Sequence, residues 1–151
     1  MDVTAPVTIR AAPVKKAAAV LSFELDLPRA LTSPTIARRH TTSFLDEHDH
    51  AGVAADAGLI VSELVSNAVM HAHEPIRLVV AIDASVRIEV IDGDHHVERV
   101  LLQQLRTGAP GGRGLQIVNT LATLWGTIHC DIGKAVWAEL QLPGRGIELR
   151  S

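Results

Sequence analysis

The spacing of apolar and polar residues changes period several times along the chain, and each change marks an element. Residues 21–27, "LSFELDL", alternate apolar and polar, a period of two that predicts a half-buried edge strand. From 34 to 48 the spacing turns helical. Ser33 stands at the N-cap position, Pro34 at the first helical position, and Ile36, Phe44 and Leu45 are expected to face inward. After the break "DHAG", residues 53–72 carry a second, more apolar helix. At 100° per residue its Ile60, Val61, Leu64, Val65, Ala68, Val69 and Ala72 share one broad arc. Two strand patterns follow, "IRLVVAI" at 76–82 and "VRIEVID" at 86–92, joined by the turn Asp83-Ala84-Ser85. A short helix is expected within 97–106 and a clearer one over 113–124. Strands near 126–131 and 134–142 end the pattern, the latter with Val136, Ala138, Leu140 and Leu142 on one face.

This order predicts an α+β fold, a two-layer α/β sandwich with a mixed, mostly antiparallel sheet and its helices on one face. Residues 1–19 mix Pro, Ala and Lys without a period and are expected to be a flexible leader, leaving 20–151 as one domain. A chain of 151 residues can bury a single core, and 47% hydrophobic with 21% charged residues is globular rather than disordered composition. A formal charge of −3 with no basic block argues against nucleic acid as a direct partner. The single cysteine, Cys130, excludes an internal disulfide or a Cys-rich zinc site and points to a reducing cytoplasm. Within an apolar strand its thiol is expected to be buried and inert. "KKAAAVLSFEL" is broken by Ser22 and Glu24, with no cleavage-like sequence after it, and no run of about 20 apolar residues suggests a membrane span.

Three places carry candidate chemistry. On the second helix Glu63, Asn67 and His71 recur every four residues and form a polar row beside the apolar arc. An Asn carbonyl is a hard oxygen donor suited to Mg²⁺, and a positioned Glu can take a proton from a nucleophile. A solvated helix edge would use the same residue types. "IDGDHH" (91–96) closes a strand with Asp92, where a carboxylate meets backbone that a ligand can approach, although Asp-Gly is also an ordinary turn signal. "GAPGGRGLQIV" (108–118) runs from loop into helix, so Gly112, Arg113 and Gly114 would offer backbone N–H groups, helix dipole and guanidinium to an anion. It is neither a Walker loop nor a dinucleotide-binding fingerprint. The pairs His48/His50, His71/His73 and His95/His96 are poorly spaced for chelation, and Trp125 and Trp137 read as packing residues.

Taken in order, these segments resemble the ATP-binding family shared by DNA gyrase, Hsp90 and sensor histidine kinases (the GHKL, or histidine-kinase-like, ATPases with their Bergerat fold). Within it they are most similar to the anti-sigma regulatory factor serine/threonine kinases (RsbW/SpoIIAB-like). The residues carrying the resemblance are "LIVSELVSNAVMHA", "VRIEVID" with Asp92, "GGRGLQIVNTLATLWG" and "GKAVWAEL", spanning about 21–142. The resemblance implies ATP with Mg²⁺ as cofactors. It makes Glu63 the general base, Asn67 the Mg²⁺ ligand and Asp92 the reader of the adenine amino group. His71, Asp94 and Leu115 would line the nucleotide, and Gly112, Arg113 and Gly114 would close on its phosphates. It further implies a sigma factor and a STAS-type anti-anti-sigma antagonist as protein partners, with a possible homodimer. Two departures stand out: Asp94 where the family places a glycine, and Ala135 where a threonine often supports the adenine through water. They leave open a second reading, a protein-binding module of the same fold without turnover.

Overall fold

The computed structural model describes residues 21–97, 100 and 112–143, with 112–114 as backbone. The expected leader, most of the segment 97–106, the glycine-rich stretch before Gly112 and the chain after 143 lie outside the described residues.

The elements run β1 (Leu21–Leu27), α1 (Ser33–Glu47), α2 (Ala51–His71), β2 (Ile76–Ile82), β3 (Ser85–Asp92), α3 (Gly112–Leu121), β4 (Leu124–Cys130) and β5 (Gly133–Gln141). The five strands form one sheet in the order β1-β2-β3-β5-β4. Every pairing among them is antiparallel, so the expected mixed sheet is antiparallel throughout its described strands. The α+β class, the two layers and the one-sided arrangement of helices hold.

The period-two pattern explains which face is covered. Leu78, Val80, Val86, Ile88, Val90, Ala138 and Leu140 lie within 4% exposure on the helix side of the sheet. Against them α2 lays the arc foreseen from its spacing, with Ile60, Val61, Leu64, Val65 and Ala68 all buried. α2 is long and apolar enough to cross a membrane, at a mean hydropathy of 1.4, yet it is the central helix of the core. Its C-terminal carbonyls need partners, and the Arg29 side chain donates to Val69 O at 2.8 Å.

α1 departs from expectation. Thr32, not Ser33, is the N-cap; Ser33 is the first helical residue and its buried hydroxyl donates to Pro28 O at 2.6 Å. The buried face is Ser33, Ala37, Thr41 and Leu45, while Ile36 is 40% exposed. Leu45 faces inward as expected, and Phe44 packs edge-on against Phe23 of β1. Small and hydroxylated residues take the inner face because Ser33 and Thr41 satisfy their own hydroxyls locally, Thr41 donating to Ala37 O at 2.9 Å. Cys130, expected to be buried, is only partly so, since it ends the edge strand β4.

Candidate functional site

The C-terminal half of α2, the ends of β3 and β5 and the first turns of α3 converge at one end of the sandwich. The β3–β5 register sets Asp92 directly opposite Lys134. Lys134 Nζ lies 2.9 Å from Asp92 Oδ1 and 3.5 Å from Asp94 Oδ2, and the three side chains are 6%, 3% and 3% exposed. Asp94 turns back on the same carboxylate, its N–H donating to Asp92 Oδ1 at 2.9 Å. Asp94 Oδ1 in turn accepts from the backbone N–H of His96 at 3.0 Å and meets His96 Nδ1 at 2.9 Å. Burial, before any other cause, pushes the Asp92 carboxyl above the usual carboxylate range. The Lys134 hydrogen bond and charge and the Asp94 N–H pull it back, while the charge of Asp94 raises it.

Two glycines hold this corner together. Gly93 donates its N–H to His73 O at 2.8 Å, and a Cβ there would come within 2.5 Å of Glu74 O. Gly133 has φ +158°, and a Cβ on it would overlap the carbonyl of Asp92. A side chain at either position would push apart the strand ends that bring Asp92 to Lys134.

Beside the charged corner is a cavity of about 30 Å³. Its apolar walls are Leu64, Ala68, Val90, Val100, Leu115 and Val136, and its polar groups are Asn67, His71, Asp92, Asp94 and Lys134. Of the residues singled out in the sequence, Asn67, His71, Asp92, Asp94 and Leu115 therefore meet at one place. Glu63 does not line the cavity; it sits half-buried on α2, one turn before Asn67. Gly112, Arg113 and Gly114 form the first turn of α3, which ends at the cavity with Leu115. Among the described residues no group of three or more His, Cys, Asp or Glu side chains could hold a metal ion. Asn67 supplies one hard oxygen at the cavity, which suits Mg²⁺ carried mainly by phosphate oxygens.

Lys134 escaped the sequence reading, and Ala135 was given its place. Alternation along β5 turns Ala135 to the opposite face of the sheet, paired with Ile91 and Ile128, so the side chain that meets the cavity is the lysine. The signal was present: Lys134 precedes Val136, Ala138 and Leu140 at the same period of two, on a face otherwise hydrocarbon.

A family model described as the histidine kinase-like ATPase domain matches residues 27–140. Among solved structures, the chain is similar to the RsbU and RsbW domains of Rv1364c from Mycobacterium tuberculosis, at a TM-score of 0.58 and 21% identity. That match covers 81% of this chain and 32% of the other, so the chain spans about a third of its neighbour. No curated protein matches the sequence. The family match takes in every described element apart from most of the first strand and the last residue of the fifth, and with it the whole of the cavity just described: the chain belongs to the histidine kinase-like ATPase domain family.

Proposed function

We propose that the chain is an ATP-binding serine/threonine protein kinase of the anti-sigma type, at work in the cytoplasm. The observation that supports this reading is the convergence of Asn67, His71 and Asp92, from two separate elements, on one cavity beside the first turn of α3. Asp92 would accept the amino group of the base, with Val90, Val136 and Leu115 against its rings. Asn67 would give its carbonyl oxygen to Mg²⁺, and the α3 N-terminus with Arg113 would face the phosphates. Glu63 would take the proton from a serine hydroxyl of an antagonist protein as that oxygen accepts the γ-phosphoryl group and ADP departs; Mg²⁺·ATP, when bound, would supply the group and neutralise charge. Partner choice would follow from the resemblance: a sigma factor held when the STAS-type antagonist is phosphorylated, by a chain acting alone or as a homodimer.

The test is calorimetric titration of ATP and ADP with Mg²⁺ and with EDTA. Mg²⁺-dependent binding that Asn67→Ala weakens is expected, and Glu63→Ala should lower phosphotransfer by about 10²–10⁴-fold while leaving nucleotide affinity intact. Full activity in Glu63→Ala would remove Glu63 from the mechanism.

A second reading is favoured by the position of Glu63 outside the cavity lining and by the cation already paired to Asp92. On that reading the chain is a partner-binding module without turnover. Nucleotide binding with no transferred phosphate, on an antagonist that is nonetheless held, would decide for it.

A further inference from the structure

Lys134 is the chemical oddity of this site. A strand position on the buried face of a sheet is a costly place for an ammonium. Pairing it with a carboxylate roughly breaks even against two packed hydrocarbons, so the ion pair has no evident reason in stability. Both members line the cavity, together with Asp94.

The hydrogen bonds leave Asp92 and Lys134 with capacity to spare. Lys134 and the Asp94 N–H both reach Asp92 through Oδ1, which leaves Oδ2 for a ligand. Lys134 has three N–H donors; one goes to Asp92, and Asp94 Oδ2 stands at the longer distance of 3.5 Å. The cavity thus presents an obligate acceptor beside an obligate donor.

That pair complements either kind of purine edge. A 6-aminopurine offers an N6–H donor next to the N1 acceptor; a 6-oxopurine offers the O6 acceptor next to an N1–H donor. A carboxylate alone accepts from the first; in the same pose it repels the second, because O6 would face its negative charge, and a pose shifted to offer N1–H leaves O6 without a donor. With an ammonium 2.9 Å from the carboxylate, both edges find one acceptor and one donor, and the two contacts simply exchange. We propose that Lys134 is a specificity-determining residue that lets this cavity take 6-oxopurine nucleotides as well as adenine nucleotides. The proposal rests on the nucleotide-binding reading above.

The experiment is titration of ADP and IDP, which differ at position 6 of the base and in the N1 proton that follows from it, into the wild-type chain and a Lys134 variant. Wild type is expected to bind IDP within about tenfold of ADP. Lys134→Met alone leaves Asp92 buried without its cation and shifts the charge of the corner, so the informative variant is Lys134→Met/Asp94→Asn, which removes one charge of each sign. It should weaken both nucleotides through the lost donor, and IDP by about tenfold more than ADP, because O6 then faces the carboxylate with no cation beside it. Wild type binding ADP with IDP more than about a hundredfold weaker would overturn the role of Lys134 and leave the nucleotide reading standing. So would an ADP/IDP ratio unchanged in a variant shown to be folded by circular dichroism. If wild type binds neither nucleotide, the nucleotide reading falls and the proposal with it. A wild-type ratio beyond about a hundredfold overturns the proposal without any folded variant.

Discussion

The inner face of the β3–β5 ladder has two ends built to different rules. Three successive registers pair Val86 with Leu140, Ile88 with Ala138 and Val90 with Val136, hydrocarbon on hydrocarbon beneath α2. The next inward register pairs Asp92 with Lys134, which are nearly as buried. Burial is alike at both ends and the chemistry opposite. Apolar pairs at the closed end stabilise through removal of surface from water and dense contact. At the open end two charges have left water, and their mutual attraction does little more than offset that loss. A face that spends four registers on one task would be hydrocarbon throughout; the charged register sits where the cavity begins, which is where the recognition proposed above would need it.

The comparison is broken most severely by leaving one charge alone. Lys134→Met should lower unfolding free energy by about 3–5 kcal/mol, because Asp92 would stay buried without its cation. Denaturant melts would show it, and a loss below about 1 kcal/mol would mean that water already reaches the pair. Next in size is the closed end. Ile88→Ala should cost about 2–4 kcal/mol through lost contacts and the cavity left behind. Nucleotide affinity, read by calorimetry below the melting transition, should change little there, because Ile88 is two registers from Asp92. Smaller again is the exchange of both charges for hydrocarbon. Asp92→Leu/Lys134→Met should melt within about 1 kcal/mol of wild type or above it, and should bind no adenine nucleotide. A double variant that still binds ADP normally would remove the charged register from recognition.

The closed end was legible in the sequence because periodicity alone decides it. Seven apolar residues at helical spacing fixed the inner arc of α2, and alternation fixed the inner face of β5. The same period of two placed residue 134 on the inner face as firmly as residue 136. Its lysine was passed over because motif resemblance drew attention to Ala135, which alternation turns away. α1 was misread for a different reason. Pro34 signalled the helix start correctly, but the side of a helix that packs inward depends on its neighbour's shape, and here the inner residues are small and hydroxylated. Ile36, apolar and expected inside, is left on the outer side. The site's own membership was partly legible: spacing put Asn67 and His71 in one row, while only the fold brings that row to the end of β3. The same row suggested that Glu63 would join them, and one helical turn is enough to leave it off the cavity lining.

The finest distinction between the two ends is their response to pH. The closed end has no titratable group, whereas burial raises the Asp92 carboxyl above its ordinary value. A carboxyl that binds its proton more tightly when folded contributes stability that is full below its unfolded pKa, near 4, and is lost as pH rises through the folded value. Asp92 therefore works against the fold increasingly from about pH 4 toward neutrality, in the direction opposite to a carboxylate held low by an ion pair. Asp92→Leu/Lys134→Met lacks this titration, and carboxylates remote from the corner behave alike in both proteins and cancel in the difference. Asp94 stays in both, but loses the lysine beside it in one. Matching that loss with Asp94→Asn in each background isolates Asp92. Urea unfolding at pH 4, 5, 6 and 7 should then show the apolar pair gaining on the charged one as pH rises. A constant difference, or one that moves the other way, would mean that Lys134 outweighs burial, and that the charged register stabilises the fold much as the hydrocarbon ones do.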